Sequence, residues 1–311
     1  MTDRQSESTT ALVWNSSSGW IDSQAKSESI SSILSSRGSA VNVIEVKDGI
    51  DIVANVKLAV ATGTGTVIAA GGDGTVNAVA SALLYRQAAL GIIPVGTLNH
   101  LARDLNLPLD EEEAARALVS GSEMSVDAGM VNGHVFVNNS VLGFFPYYRH
   151  LRERLERCCL GSSKAGRFVA VVAGLCIALW RLPRLTVTYD VNGRQRSLRT
   201  PFVLVGNNEH RMQGFALGAR TVLNSGLLWV YVMRPQTRWQ LLTRVIGVLL
   251  GRAPRESLFE VFSGRRITIE SSRRRLGVGV DGEVVDLKTP LRYESLPGAL
   301  RVLVPHSESA S

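Results

Sequence analysis

The sequence predicts two unlike domains: an α/β domain with a mostly parallel, Rossmann-like sheet, then a β-rich domain of antiparallel, β-sandwich-like character. Over the first 130 residues, strand-like and helix-like segments alternate, which is typical of a parallel sheet with helices on both faces. After about Met130, short runs alternate apolar and polar residues and end in turn sequences such as Val191–Arg194, which is typical of antiparallel strands. A length of 311 residues also favours two domains.

The first domain is assigned to residues 11–130, and we expect the polar residues 1–10 to be a disordered tail. This tail lacks the apolar core of a signal peptide. The predicted strands of the domain are Ala11–Asn15, Ala40–Val46, Thr66–Ala70 and Leu90–Val95. The predicted helices are Gln24–Leu34, Ile50–Ala61, Val76–Tyr85 and Glu111–Val119. The last helix carries acidic residues in its first turn, where the helix dipole favours them.

The second domain is assigned to residues 131–305. Its predicted strands are His134–Phe144, Leu185–Val191, Gln195–Thr200, Phe202–Gly206, Leu227–Met233, Ser257–Phe262, Arg266–Glu270, Leu276–Val280 and Gly282–Leu287. Helices are predicted at Phe168–Trp180 and Trp239–Arg252. The first of these has thirteen uncharged residues between two arginines, whereas a membrane-spanning helix needs about 20. We expect it not to span a bilayer; a buried helix and a helix that also touches lipid both stay open.

Charge and cysteine content limit the function classes. The net charge of +7 and the pI near 9.7 suit an anionic partner such as a nucleotide, a nucleic acid or a membrane surface, without choosing among them. The three cysteines, Cys158, Cys159 and Cys176, lack metal-ligand spacing and favour a reduced, cytoplasmic compartment over a disulfide framework.

A glycine-rich turn directly follows the third predicted strand. Glycines at 71, 72 and 74 surround Asp73, and such bare backbone lets N–H groups converge on a ligand. The turn is neither a dinucleotide fingerprint nor a Walker A loop, so a phosphate site and a tight structural turn are both open. Asp73 favours the phosphate site, because a carboxylate in an anion cradle suggests a bridging Mg²⁺.

Four motifs resemble the diacylglycerol kinase catalytic domain shared by bacterial lipid kinases, diacylglycerol kinases, ceramide kinases and sphingosine kinases. They are Val13–Gly19 (VWNSSSG), Gly71–Asn77 (GGDGTVN), Pro94–Leu105 (PVGTLNHLARDL) and Val278–Val285 (VGVDGEVV). They stand in the order that the family has and extend over nearly the whole chain. The resemblance implies an ATP site between an α/β domain and a β-rich domain, with the last residues often returning to the first domain.

The resemblance also implies roles for individual residues. The nucleotide is lined by Asn15, Gly71, Gly72, Gly74, Thr75, Gly96, Thr97 and Asn99. Asp73 organises Mg²⁺ on the phosphates, and Glu283 takes the proton from the lipid hydroxyl. Taken singly, Asn15 and Asn99 could instead be turn formers, and the sequence Asp-Gly-Glu at 281–283 could be an ordinary hairpin turn.

The chain departs from the family pattern at several positions. Many relatives have Glu and Asp where this chain has Ala78 and His100, and several have two aspartates where it has Asn224 and Ser225. A second, structural Mg²⁺ site is therefore not expected. His100 is equally consistent with a phosphate-facing donor and a structural polar residue. Asp104, four residues later, is either a substitute carboxylate near the nucleotide or an acid on a helix surface.

The implied partners are a lipid substrate in a membrane and an anionic membrane surface, with no nucleic acid, and a homodimer stays open. Arg265, Arg266 and Arg273–Arg275 suit an anionic leaflet, although basic strand edges also discourage aggregation. Both predicted helices of the second domain are candidates for the lip of an acyl-chain pocket, with a core role as the alternative.

The motifs together favour an ATP-dependent lipid kinase, cytoplasmic and peripherally bound to the membrane, acting on a diacylglycerol-like or sphingoid lipid. Ala78 and His100 leave a catalytically silent lipid- or nucleotide-binding protein as an alternative. NAD kinases share the sequence Gly-Gly-Asp-Gly-Thr, but the second domain carries no motif of that family.

Overall fold

The computed structural model describes residues 9–15, 23–36, 40–46, 49–156, 164–181, 185–191, 194–213, 216–234, 240 and 258–306. The chain forms two compact units. The first comprises Met1–Ala128, Ala219–Ser225 and Leu296–Ser311, and the second comprises Gly129–Gly218 and Gly226–Ser295. The segment Ala219–Ser225 thus belongs to the first unit, although the chain on either side of it belongs to the second.

In chain order, the strands are β1 (Thr9–Asn15), β2 (Val41–Val46), β3 (Thr64–Gly71), β4 (Ala89–Pro94), β5 (Ser122–Val131), β6 (His134–Phe136), β7 (Asn139–Gly143), β8 (Leu185–Val191), β9 (Arg194–Thr200), β10 (Phe202–Asn207), β11 (His210–Gln213), β12 (Ala216–Arg220), β13 (Leu228–Met233), β14 (Phe259–Gly264), β15 (Arg266–Ser271), β16 (Arg275–Val280), β17 (Glu283–Lys288) and β18 (Leu291–Val304). The helices are α1 (Ser23–Ser35), α2 (Gly49–Ala61), α3 (Asp73–Leu83), α4 (His100–Asp104), α5 (Glu111–Val119), α6 (Phe144–Leu155) and α7 (Lys164–Arg181).

The first unit is built on a parallel sheet in the order β2-β1-β3-β4, and the end of β18 continues it through the pair Val302–Leu90. The chain moves outward from β1 to β2 and then back across to β3, so right-handed crossovers place α1 and α2 on opposite faces. Accordingly, α1 packs against α5, and α2 packs against α3. Both faces are covered, which explains why β4 is buried along its whole length.

The second unit is an antiparallel β-sandwich. One sheet has the order β14-β13-β10-β7-β16-β17, and the other joins the first residues of β18 to β15, β8 and β9. A single core cluster contains residues of both sheets, among them Leu142, Val205, Val278, Ile269 and Tyr293. The predicted fold class, an α/β unit followed by a β-rich unit with antiparallel sheets, is confirmed.

A buried hydrogen bond crosses this core. The Tyr293 hydroxyl lies 3.1 Å from the Ser140 hydroxyl, and both side chains are buried. Burial raises the pKa of Tyr293 above its usual value, because the ionised phenol is poorly solvated there. The other face of the six-stranded sheet is covered by the start of α6, where Phe144 and Phe145 pack against a second apolar cluster.

Several elements differ from their prediction. The first strand begins at Thr9, so Thr9 and Thr10 belong to the sheet and not to a disordered tail. Helix α3 begins at Asp73, three residues before the predicted start, because the glycine turn itself supplies the first helical residues. Helix α7 extends the predicted Phe168–Trp180 segment at both ends. Among the described residues, no helix combines the length and the apolar character needed to cross a bilayer.

Other elements were not predicted at all: α4, α6, β5, β11, β12 and β18. Helix α6 follows β7 without a linker and mixes aromatic with charged residues, so no clear apolar period marks it. In contrast, the predicted helix Trp239–Arg252 lies outside the described residues except for Gln240.

Candidate active site

The first-unit motifs meet at one edge of the parallel sheet. Strands β1, β3 and β4 are neighbours, and they end at Asn15, Gly71 and Pro94. Each predicted nucleotide-lining residue of this unit lies at or just beyond one of these strand ends. The carboxyl edge of an open α/β sheet is the usual position of a ligand site.

The loops after β3 and β4 approach each other through bare backbone. A Cβ atom added to Gly96 would lie 2.8 Å from the Cα of Gly72 and 2.8 Å from the Asn99 side-chain oxygen. A Cβ added to Gly71 would lie 2.6 Å from the Thr75 hydroxyl. Glycine is therefore required at 71 and 96 by packing, in addition to any access that it gives to a ligand.

Helix α3 points its N-terminus into this turn. Its N-cap residue is Gly72, and no side-chain hydrogen bond caps its first N–H groups in the described part of the chain. At helix N-termini in general, the N–H groups of the first turn and the positive end of the helix dipole favour bound anions. Thr75 in the first turn of α3 is 5% exposed, and its hydroxyl accepts a hydrogen bond of 2.9 Å from the Asn15 side chain. Two predicted nucleotide residues are thereby joined.

The carboxylate of Asp73 bridges the two loops. One oxygen accepts the backbone N–H of Asn99 at 3.0 Å, and the other accepts the backbone N–H of His100 at 2.8 Å. These residues begin α4, so the negative charge lies at the favourable end of a short helix. Each oxygen retains a lone pair, because a carboxylate has about four acceptor positions. Asp73 is thus a structural link that can also contact a cation.

Asn99 has a structural role in the second loop. It adopts the left-handed conformation with φ 49°, and its amide donates a 2.6 Å hydrogen bond to the Gly96 carbonyl. This hydrogen bond closes the turn Gly96–Asn99, while Thr97 at its tip is exposed. The contacts of Asn99 are those of a turn-forming residue. A role for Asn99 in nucleotide binding stays a prediction.

The interpretation of Asp104 as an acid on a helix surface is wrong, because its side chain forms a buried ion pair with Arg220. The alternative, a substitute carboxylate near the nucleotide, stays a prediction. The two carboxylate oxygens of Asp104 accept the Arg220 backbone N–H at 2.9 Å and the Arg220 Nε–H at 2.7 Å. Sequence reasoning missed Arg220, and no local pattern could have identified a partner 116 positions away.

In the second unit, the two acids of the motif Asp-Gly-Glu differ in their surroundings: Asp281 is hydrogen-bonded to backbone groups, and Glu283 is exposed. The Asp281 carboxylate accepts the backbone N–H groups of Val137, Asn138 and Asn139 at 2.7 to 2.9 Å. Asp281 itself has φ 45°, and the carbonyl of Gly282 accepts a hydrogen bond from Arg149. Glu283 follows at the start of β17 and is exposed. The turn is therefore held by Asp281, and Glu283 is available for other contacts.

The described carboxylates limit the kind of metal site that this edge of the sheet could form. Among the described residues, no group of three or more His, Cys, Asp or Glu side chains is placed to hold a metal ion. Mg²⁺ commonly takes one or two carboxylates and completes its shell with substrate phosphates and water. The single carboxylate of Asp73 beside the α3 N-terminus fits this second arrangement.

Two family models and two relatives match this chain. Residues 9–131 match the family model described as diacylglycerol kinase catalytic domain, and residues 163–304 match that of the YegS C-terminal NAD kinase beta sandwich-like domain. The "Probable lipid kinase YegS-like" of Pseudomonas aeruginosa (strain UCBPP-PA14) is 32% identical over 261 residues, which cover 80% of this chain and 80% of that protein. The protein of the same name from Yersinia pestis (strain Pestoides F) is 45% identical over 84 residues, 25% of this chain and 28% of that protein.

A solved structure agrees at the level of fold. A diacylglycerol kinase from Bacillus anthracis (strain Sterne) superposes with a TM-score of 0.71 at 22% identity, covering 96% of this chain and 98% of that one. The resemblance seen in the motifs is thus confirmed over both units. The chain belongs to the YegS-like lipid kinase family, whose members are phosphotransferases with an alcohol group as acceptor.

Proposed function

We propose that the protein is an ATP-dependent lipid kinase that transfers the γ-phosphate to a hydroxyl of a diacylglycerol-like or sphingoid lipid. The observation that carries this proposal is the N-terminus of α3, which has no side-chain cap among the described residues and lies beside two glycine loops that the Asp73 carboxylate links. Membership of the YegS-like family supports a lipid as acceptor.

Backbone groups would hold most of the nucleotide. The N–H groups of the first α3 turn would face the phosphates, with Gly72 and Gly96 keeping side chains out of the cradle. Asp73 would contact a Mg²⁺ ion that arrives with ATP and neutralises charge on the phosphates. Asn15 would orient the Thr75 hydroxyl through the hydrogen bond between them.

Glu283 would serve as general base. Its carboxylate would take the proton of the lipid hydroxyl while that oxygen forms a bond to the γ-phosphorus and the bond to the β-phosphate oxygen breaks, releasing ADP. Its exposed position, beside an Asp281 that already has hydrogen-bond partners, suits this role better than Asp281 does. We further propose a cytoplasmic protein that binds membranes peripherally.

The test is transfer of labelled γ-phosphate from ATP to a panel of diacylglycerol, ceramide and sphingosine in mixed micelles, with Mg²⁺ varied. Wild type is expected to label a lipid, and Asp73→Asn to lose most transfer, because the change removes the charge needed for the cation. It also places an amide N–H against the backbone N–H of Asn99 or His100. Glu113→Gln, which neutralises an exposed acid on α5, is the matched control and should retain full activity.

Two results would decide against the proposal. Full activity of Asp73→Asn at limiting Mg²⁺ would remove the assigned site. Absence of lipid labelling by wild type, with retained ATP binding, would support the silent binding protein instead. Because the second unit matches an NAD kinase-like sandwich model, NAD is included as an acceptor, and labelling of NAD alone would favour that activity.

A further inference from the structure

The ion pair between Asp104 and Arg220 is the most deeply buried one in the described part of the chain. The side chains are 7% and 1% exposed, whereas both partners in each of the other described ion pairs are at least 24% exposed. Arg220 belongs to the segment Ala219–Ser225, which the chain inserts into the first unit. A second contact anchors this segment, since the Leu223 carbonyl accepts the Asp127 backbone N–H at 2.8 Å.

The ion pair lies at one end of α4, and the candidate phosphate loop lies at the other. Helix α4 has only five residues, from His100 to Asp104, and is about 7 Å long. At its start, the N–H groups of Asn99 and His100 hold the Asp73 carboxylate. At its end, Asp104 is held by Arg220. A helix this short has little stability of its own, so its position depends on tertiary contacts. These are the buried side chains of Leu101 and Ala102, which hold it to the core, and the two polar attachments at its ends.

Stability alone is a weak reason for such a pair. Burying two charges costs much of what their attraction returns, and apolar residues of similar size often serve stability equally well. A bidentate contact from Arg220, through both its backbone N–H and its Nε–H, does fix the position of Asp104 and hence the axial position and rotation of α4. The pair therefore suits positioning better than it suits stability.

We propose that the Asp104–Arg220 ion pair positions α4 so that its first N–H groups hold the Asp73 carboxylate in the orientation that MgATP binding requires. Asp104 and Arg220 are thus positioning residues, and the proposal rests on the nucleotide site assigned above. Loss of the pair lets α4 shift, loosens the Asn99 and His100 hydrogen bonds, and leaves Asp73 free to turn away from the cation.

The experiment measures MgATP affinity by calorimetry and amide hydrogen exchange over residues 96–104, using the full chain. Asp104→Asn keeps the shape and one acceptor but places an amide N–H against the Arg220 side chain. It should weaken MgATP binding about tenfold or more and speed exchange at Asn99 and His100. Arg220→Lys keeps the charge and the backbone N–H, so it should fall between wild type and Asp104→Asn.

The control for general destabilisation is Ile30→Ala, a cavity in α1 at a residue that is 1% exposed. It should lower thermal stability but leave both MgATP affinity and exchange at Asn99 and His100 as in wild type. If Asp104→Asn fails to fold, Arg220→Lys carries the same test.

The outcomes separate this proposal from the proposed function. If wild type binds MgATP, and both ion-pair variants bind it as tightly as wild type does, the positioning role is overturned while the kinase assignment survives. Equal weakening by Ile30→Ala and Asp104→Asn also overturns it, because the effect would then follow stability alone. If wild type does not bind MgATP, the proposed function fails and this inference fails with it.

Discussion

Asp73 and Asp281 have the same physical role in two different motifs. Each carboxylate accepts backbone N–H groups from a loop distant in sequence: Asp73 from Asn99 and His100, and Asp281 from 137–139. Hydrogen bonds to a charged acceptor are roughly twice as strong as neutral ones. The two aspartates therefore shape the turns that present the neighbouring functional groups, in addition to any direct role in catalysis.

Replacing Glu283 and replacing Asp281 should affect two different properties, turnover and stability. Glu283→Gln keeps shape but cannot take a proton, so turnover should fall about 10²-fold or more with stability and nucleotide affinity unchanged. Asp281→Ala should instead lower the free energy of unfolding by about 2 to 4 kcal/mol, because three backbone N–H groups lose a charged acceptor. Steady-state kinetics and denaturant unfolding of both variants provide the measurement. Normal turnover of Glu283→Gln would leave the mechanism without its base.

Gly96 offers a second test at the residue scale. In Gly96→Ala, the new methyl group would lie 2.8 Å from the Gly72 Cα, so the two loops must separate at a cost of about 1 to 3 kcal/mol. We expect weaker MgATP binding, measured by calorimetry. Gly264→Ala is the control, since its nearest contact beyond the chain neighbours is an ordinary 3.7 Å. Unchanged MgATP affinity of Gly96→Ala would argue that the loops do not form the phosphate site.

At the scale of elements, the first unit places three strand ends and one helix N-terminus together. The parallel arrangement of β1, β3 and β4 brings Asn15, Gly71 and the loop after Pro94 to the same edge, because parallel neighbours end on the same side of a sheet. In the second unit, antiparallel pairing places Asn139 at the start of β7 near Val280 and Asp281 at the end of β16. The strand directions thus decide which motif residues meet within each unit.

The buried Tyr293–Ser140 pair between the sheets predicts a loss of stability at alkaline pH. Burial raises the Tyr293 pKa, so above about pH 10, the unfolded value, the unfolded chain releases a proton that the folded protein keeps. The free energy of unfolding is therefore fully preserved below pH 10 and falls as the pH rises beyond it. Urea unfolding between pH 8 and pH 11 measures the slope of the free energy of unfolding against pH.

Tyr293→Phe should reduce that alkaline slope by up to about 1.4 kcal/mol per pH unit. At neutral pH the same change should cost about 1 kcal/mol, because the Ser140 hydroxyl loses its partner. Tyr85→Phe, at a side chain that is 67% exposed, is the control and should keep the wild-type slope. A Tyr293→Phe slope equal to that of wild type would contradict a protonated, buried tyrosine.

At the scale of the whole molecule, basic residues outnumber acidic ones by seven, so pairing between them must leave some positive side chains without an acidic partner. Arg275 is paired with Asp286 and Arg266 with Glu294. Arg273 and Arg274 are exposed, and neither forms an ion pair within the described residues. Positive charge that is not locally paired is available to an anionic surface.

We therefore predict liposome binding that strengthens with anionic lipid and weakens with salt, because salt screens exposed charges. Arg273→Ala should weaken binding about fivefold, the effect of about 1 kcal/mol per basic residue near an anionic leaflet. Arg116→Ala removes the same charge from α5, where Glu112 already pairs with it, and should have a smaller effect. Equal binding of wild type to neutral and anionic vesicles at low salt would contradict this prediction in sedimentation assays.

The fold class, most of the first-unit elements and the position of the glycine turn could all be predicted from the sequence. Strand and helix periods are local, and so is the character of Gly71–Thr75, where residues without side chains and the first N–H groups of a helix come from consecutive positions. The elements that the sequence did not predict are those without a clear local period, such as α6, or those completed by distant pairing, such as β18.

The partners of the acids, in contrast, could be identified only from the folded protein. Asp104 is a buried partner of Arg220, 116 positions away, and Asp281 binds N–H groups 142 to 144 positions away. The same residue types at the same spacing would be consistent with surface acids or metal ligands. Hydrophobic periodicity determines which elements form, whereas the partner of a charged side chain depends on which elements pack together, and that information is not local.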